Sequence, residues 1–227
     1  MEITFDRRFR GPLTSANGGF ACGSLAVFVD ADEVEVTLRL PPPLGRPLQV
    51  RVDDGSAVLL DGDAVVAEAR AAPLEVEVPA PVTLAEAERA TTRFVPIGSA
   101  AFRECFVCGT REDGDGLDVH AGAVAGRAPL VASPWTAREP SRAVVWAAID
   151  CPGAYAVGVA GRGEIVLGRM TARVDRVPDV GEQCVAVAWP VGGDGRKLFA
   201  ETALFAGDGE LLAAARQVWI EPRVSAA

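Results

Sequence analysis

The spacing of apolar and polar residues changes several times along this chain, and each change marks an element. Thr14 to Asp30 (TSANGGFACGSLAVFVD) is the first such segment. Phe20 to Val29 is apolar on nearly every side, the pattern of a buried helix. Ser15 or Asn17 in front of it suits an N-cap. Gly18 and Gly19 at its start leave room for another backbone or a ligand to come close. From Glu33 to Leu40 acidic or polar residues alternate with Val and Leu, the period of a half-buried strand, and Pro41 to Gly45 breaks it. Leu48 to Val52 and Ala57 to Leu60 flank Asp53-Asp54-Gly55, a hairpin signal. Asp61-Gly62-Asp63 turns the chain into Ala64 to Ala69, and Leu74 to Val78 alternates once more. The pattern predicts a helix followed by four or five antiparallel strands.

Pro79 to Gly116 has only patchy periodicity. It holds a short helical stretch, Leu84 to Arg89, and the segment CFVCGTREDGDG. Beyond it the first pattern returns. Leu117 to Ala121 and Leu130 to Ser133 read as strands. Pro140 to Asp150 (PSRAVVWAAID) reads as a helix, with Pro140 suited to its first turn. Glu164 to Arg176, Gln183 to Trp189, Leu198 to Phe205 and Glu210 to Ile220 form a meander, with Gly207-Asp208-Gly209 as its last turn. Residue identities repeat as well. LRLPPPLGRPLQVRV parallels VDRVPDVGEQCVAVA, and Asp61 to Arg70 parallels Gly207 to Arg216, in the same order and after a buried helix each time.

The expected architecture is therefore α+β, a double hotdog: two antiparallel sheets, each wrapped around one buried helix that covers its apolar face. The expected domains are an N-terminal hotdog at 1–82, a connecting segment with the CxxC at 83–116, and a C-terminal hotdog at 117–227.

Composition narrows the chemistry. The chain has 227 residues, 49% of them apolar, enough for a sizeable core. A net charge of −9 repels the phosphate backbone of nucleic acids and anionic membrane surfaces. Met1 to Pro12 is charged, with no apolar run of a secretory signal, and no stretch of about 18 apolar residues is available to span a membrane. The five cysteines, Cys22, Cys105, Cys108, Cys151 and Cys184, are odd in number. Reduced thiols in a cytoplasm are expected.

Three stretches resemble the acyl-CoA thioesterase II family and related double hotdog proteins: Gly168 to Glu182 (GRMTARVDRVPDVGE), Arg196 to Ile220 (RKLFAETALFAGDGELLAAARQVWI) and the helix ending Trp146 to Asp150 (WAAID). Asn17 to Ala26 (NGGFACGSLA) resembles the glycine-pair helix of the same superfamily. The resemblance implies hydrolysis of an acyl-CoA thioester, or binding of one. It also implies that Asp150, at the end of the second hotdog helix, and Gln217, in the last strand, hold the attacking water together with a hydroxyl. The family's hydroxyl position falls near Leu167. Thr171 is the nearest hydroxyl residue and would serve only in a shifted register.

Elementary chemistry is consistent with these assignments. A helix N-terminus offers free N–H groups to a developing oxyanion, and a buried carboxylate can activate water. Asn17, Gly18 and Gly19 would then face the substrate. The bland readings are a turn-capping Asp150, a Gln217 that pairs with neighbouring backbone, and an Asn17 that caps its helix.

Cys105-Phe-Val-Cys108, with His120 as a third ligand and an Asp or Cys151 as a fourth, would make a zinc site. A single CxxC more simply packs an ordered turn, so neither a metal nor another cofactor is expected. His120 lies outside both helices, which disfavours a hydratase. The alternative to hydrolysis is a fatty-acyl or acyl-CoA binding protein with an eroded site, which Leu167 favours. One chain completes the hotdog pair by itself, and a further homodimer is compatible with that.

Overall fold

A computed structural model describes residues 1–112, 114–162 and 164–222. Among these, eleven strands form one antiparallel sheet: β1 (Glu2–Thr4), β2 (Glu33–Leu38), β3 (Pro47–Asp53), β4 (Ser56–Asp61), β5 (Ala64–Ala71), β6 (Gly122–Ala123), β7 (Val131–Thr136), β8 (Val166–Val174), β9 (Gln183–Asp194), β10 (Lys197–Ala206) and β11 (Leu211–Ile220). Their order in space is β1-β3-β4-β5-β2-β8-β11-β10-β9-β7-β6.

The expectation of two separate sheets is corrected here. β2 and β8 pair along their length, Val34 with Ala172 and Val36 with Met170, and fuse the halves into a continuous sheet. The reason lies in the alternation of both strands. Val34, Val36, Met170 and Ala172 are all buried on the inner face. On the outer face Glu33 pairs with Arg173 at 3.1 Å and Glu35 with Arg169 at 3.5 Å. Cross-strand pairs of this kind specify a seam.

Two helices lie side by side on the inner face, α1 (Gly18–Ala26) and α3 (Arg142–Ala148). Asn17 is the N-cap of α1, its Oδ1 accepting from Phe20 N at 2.9 Å. Ser141 caps α3. The two helices approach closely because α1 turns glycines towards α3. A Cβ at Gly19 would sit 2.5 Å from Asp150 Cβ and 2.6 Å from the Trp146 carbonyl oxygen. One at Gly23 would sit 2.7 Å from Trp146 Cβ and 2.8 Å from Ala143 Cα. Residues four apart share a helix face, so Gly19 and Gly23 make a continuous groove. After α3 the chain continues through α4 (Cys151–Ala156) and α5 (Val159–Arg162).

The connecting segment is more than a tether. Its helix α2 (Leu84–Thr91) opens with a capping box between Thr83 and Glu86 and packs on the outer face of the second half. Val82, Ala87 and Ala90 meet Val185, Val187, Ala203 and Phe205 there, in a second core cluster. Where both faces are covered, Cys184 to Ala188 of β9 and Ala203 to Ala206 of β10 are continuous apolar runs, as such strands usually are. The same segment sends Cys105, Phe106, Val107 and Cys108 into the main core. Two expected strands are absent. Leu74 to Val78 lies outside the sheet, alternately half-buried and exposed, and of Leu117 to Ala121 no residue joins a ladder, which begins at Gly122. None of the described helices is long and apolar enough to cross a membrane.

Candidate functional site

The C-terminal end of α3 meets the N-terminal end of α1, and Asp150 stands at the junction. Its side chain is buried, with the residue only 2% exposed. Oδ2 accepts two hydrogen bonds, from Asn17 Nδ2 and from the Gly19 backbone N–H, each 2.9 Å. The first turn of α1 therefore supplies an amide and a positive dipole end to this carboxylate. Oδ1 is buried and has no hydrogen-bond partner among the described residues. Burial lifts the pKa of Asp150 to about 7, against the opposing pull of the Gly19 amide and Asn17.

A cavity of about 250 Å³ opens beside Asp150. Gly18, Leu38, Ile165, Leu167, Trp219 and Ile220 give it a mainly apolar lining. Cys105, Cys108 and Cys151 form a further part of its wall.

The residues expected at the site separate into those the fold brings together and those it does not. Asp150, Asn17, Gly18 and Gly19 converge. Asn17 is engaged at both ends of its amide, with Oδ1 capping Phe20 and Nδ2 on Asp150, so it orients the carboxylate. Gly19 is covered by α3, whereas Gly18 lines the cavity against Leu167.

Gln217 is fully buried, and its amide is already in use. Nε2 donates to the carbonyls of Ile149 at 2.8 Å and Asp150 at 3.3 Å, while Oε1 accepts from Trp219 Nε1 at 2.9 Å. It ties strand β11 to the end of α3, adding a second donor to the Asp150 carbonyl, which also accepts from Gly153 N at 3.0 Å. It is absent from the cavity wall, whereas its neighbour Trp219 is part of it. Both ends of the amide are thus engaged by protein groups around the end of α3.

Thr171 lies on the opposite face of the sheet, paired across to Arg216 and Glu35. The cause is a bulge. Trp219 pairs with Leu167 but Val218 pairs with Arg169, which leaves Gly168 as an extra residue. A one-residue insertion reverses side-chain parity. Leu167 and Met170 both point inward, and Thr171 points out. Thr171 therefore supplies no hydroxyl to the cavity and Leu167 stands at the position the resemblance indicates, while Ser15 is a hydroxyl residue in the lining.

His120 does not join the cysteines. Its Nε2 lies 3.2 Å from the Gly109 carbonyl and its ring packs on Phe94, with centroids 4.5 Å apart. Cys151 takes the third position instead: the sulfurs of Cys105, Cys108 and Cys151 all lie within 4.8 Å of one another. The sequence held a signal for this in the Asp-Cys-Pro-Gly that follows α3, but spacing alone does not connect it to residues 43 to 46 positions earlier.

No protein-family model matches this chain, and no curated protein matches it. Solved structures do. A conserved protein of unknown function with a hot dog fold from Alicyclobacillus acidocaldarius is 14% identical, over 98% of this chain and 93% of that one, with a TM-score of 0.63. The acyl-CoA thioesterase II TesB2 from Mycobacterium marinum is 13% identical, over 99% of this chain and 93% of that one, with a TM-score of 0.59. The tesB protein of Mycobacterium avium subs paratuberculosis is 13% identical, over 91% and 87%, with a TM-score of 0.60. These likenesses show that the chain has the hot dog fold.

Proposed function

We propose that this protein hydrolyses an acyl-CoA thioester, with Asp150 as the group that activates water. The observation that carries the reading is the free Oδ1 of Asp150: a carboxylate oxygen, buried, without a partner, beside an apolar cavity. Buried polar atoms are normally satisfied, and an exception calls for a role. In the proposed reaction Oδ1 takes a proton from water and the oxygen of that water bonds to the thioester carbon. The carbon–sulfur bond then breaks, and the departing CoA sulfur receives the proton. The Gly18 amide, in the first turn of α1 where N–H groups have no intrahelical partner, receives the carbonyl oxygen as charge develops on it. Asn17 and Gln217 act as positioning residues, the first through Oδ2 and the second through the end of α3.

The cavity is small against the roughly 300–1,000 Å³ of common ligand sites. It suits the acyl group, leaving the nucleotide part of CoA outside. The acyl-CoA thioesterase II from Mycobacterium marinum, which shares the fold, supports the same substrate class. A second reading, binding without turnover, is favoured by Leu167, which occupies the place where a hydroxyl would help hold the water.

One experiment separates the two. CoA thiol release is measured across short, long and aromatic acyl-CoAs for the native protein and for Asp150→Asn. Hydrolysis predicts release that falls by about 100-fold or more in the variant, the scale of a lost general base. Absence of release from every substrate, with acyl-CoA still raising the melting temperature, would establish the binder. Release untouched by Asp150→Asn would sink the assignment of this residue.

A further inference from the structure

Cys105, Cys108 and Cys151 form a buried cluster that hydrolysis by Asp150 does not use. The sulfurs lie within 4.8 Å of one another, and Cys105 Sγ is 3.8 Å from Cys151 Sγ. A tetrahedral ion with metal–sulfur bonds of about 2.3 Å has sulfur–sulfur edges of about 3.8 Å. The contact already has that length, so little rearrangement is needed.

The turn that carries the first two thiols is built to present them. Gly109 N–H bonds to the Cys105 carbonyl at 2.9 Å, and a Cβ at Gly109 would fall 2.5 Å from both Cys105 N and Cys105 O. Only glycine allows the turn to close so tightly. On the other side Asn17 Nδ2 lies 3.9 Å from both Cys105 Sγ and Cys151 Sγ, between the sulfurs and the carboxylate of Asp150. Tyr155 lines a cavity together with Cys108. A purely apolar turn would need neither polar neighbour.

We infer that Cys105, Cys108 and Cys151 bind a zinc ion, its fourth position turned towards the cavity that also holds Asp150. All three cysteines line that cavity, and a site with three protein ligands characteristically leaves one position open. Thiolate ligands select zinc over the hard cations magnesium and calcium. The inference stands on the cluster alone and is independent of whether Asp150 hydrolyses a thioester.

The test uses the full chain, produced with zinc in the medium and purified under reducing conditions without chelator. Elemental analysis should find about one zinc per chain, with binding that weakens as pH falls because the ligands must be deprotonated. Exchange for cobalt should produce an intense sulfur-to-cobalt charge-transfer absorption. Cys151→Ser should lose at least about tenfold in zinc affinity, while Cys184→Ser, a buried cysteine outside the cluster, should retain the full stoichiometry. Should Cys151→Ser fail to fold, the native protein carries the test. Chelation should then expose three thiols to a thiol reagent and lower the melting temperature, and added zinc should reverse both. A chain that takes up no zinc, a cobalt form without the charge-transfer absorption, or a disulfide among these cysteines in freshly isolated protein would each overturn the site.

Discussion

The closeness of α1 and α3 is what brings Asp150 to the end of α1, and Gly23→Ala probes it without touching the site. Two effects oppose each other in this variant. Replacing a mid-helix glycine by alanine stabilises a helix by about 1 kcal/mol. The new methyl, however, would lie 2.7 Å from Trp146 Cβ, 2.8 Å from Trp146 Cγ and 2.8 Å from Ala143 Cα. Ordinary carbon–carbon contact needs about 3.5–4.0 Å, so the helices must part by roughly 1 Å. Neither a backbone Cα nor a Cβ can swing aside as a flexible chain end would. Overpacking of this sort costs about 1–3 kcal/mol.

The net expectation is a loss of about 1 kcal/mol, or a melting temperature lower by about 2–4 °C for a chain of this size. The control is Gly161→Ala in α5, where a Cβ would meet nothing within 4 Å. It carries the helix gain without the clash. Circular dichroism melts of both variants, compared with each other, isolate the packing effect, which should separate them by about 1–3 kcal/mol. Equal melting temperatures, or a Gly23→Ala protein more stable than native, would refute the idea that glycine is needed for helix contact. The same variant should also turn over acyl-CoA more slowly, because parted helices draw the Gly19 amide away from Asp150.

Two other outcomes are expected. Gln217→Leu removes the donor to Ile149 and Asp150 and leaves Trp219 Nε1 unpaired in the core. The loss should be about 2 kcal/mol or more, read as a melting temperature several degrees lower, whereas an unchanged value would show that the amide does not brace α3. Arg176 holds the Glu182 carboxylate down to about 2, chiefly by hydrogen bonding. A carboxylate depressed on folding stabilises the native state above its unfolded pKa of about 4.3 and loses that contribution as pH falls towards the folded value. Glu182→Gln should accordingly flatten the decline in melting temperature between about pH 5 and 2, and a decline as steep as in the native protein would remove this pair from the account.

Much of the architecture was written in the alternation of the chain. Both inner helices, the Asn17 cap and most of the strands could be read from it, because each depends on neighbours close in sequence. Asp150 was singled out by the family resemblance, at the end of a helix that the pattern predicts. What escaped depended on partners distant in sequence. Leu74 to Val78 has the period of a strand, yet it lies between Pro73 and Pro79, and no ladder receives it. Counting by two from Leu167 places Thr171 inward, but Gly168 interrupts the count. Gln217 could be recognised as buried and polar, but not that its amide is used up by α3. The pairing of Cys105 and Cys108 with Cys151 required the end of α3 to fold over the connecting segment.

The single sheet has a consequence for how the two halves can differ. Two identical hotdog units associated as a dimer would present the same pair of helix ends twice, and any substitution would alter both. Here the halves share one polypeptide and one seam, so each junction is free to follow its own course. At the junction described above, α3 ends in the sequestered Asp150. At the opposite one, α1 runs out towards Asp30, which is exposed, in a separate cavity of about 410 Å³ that Arg142 helps to line. A single chain is not bound by symmetry: one helix end keeps a carboxylate buried while its counterpart leaves Asp30 exposed to solvent.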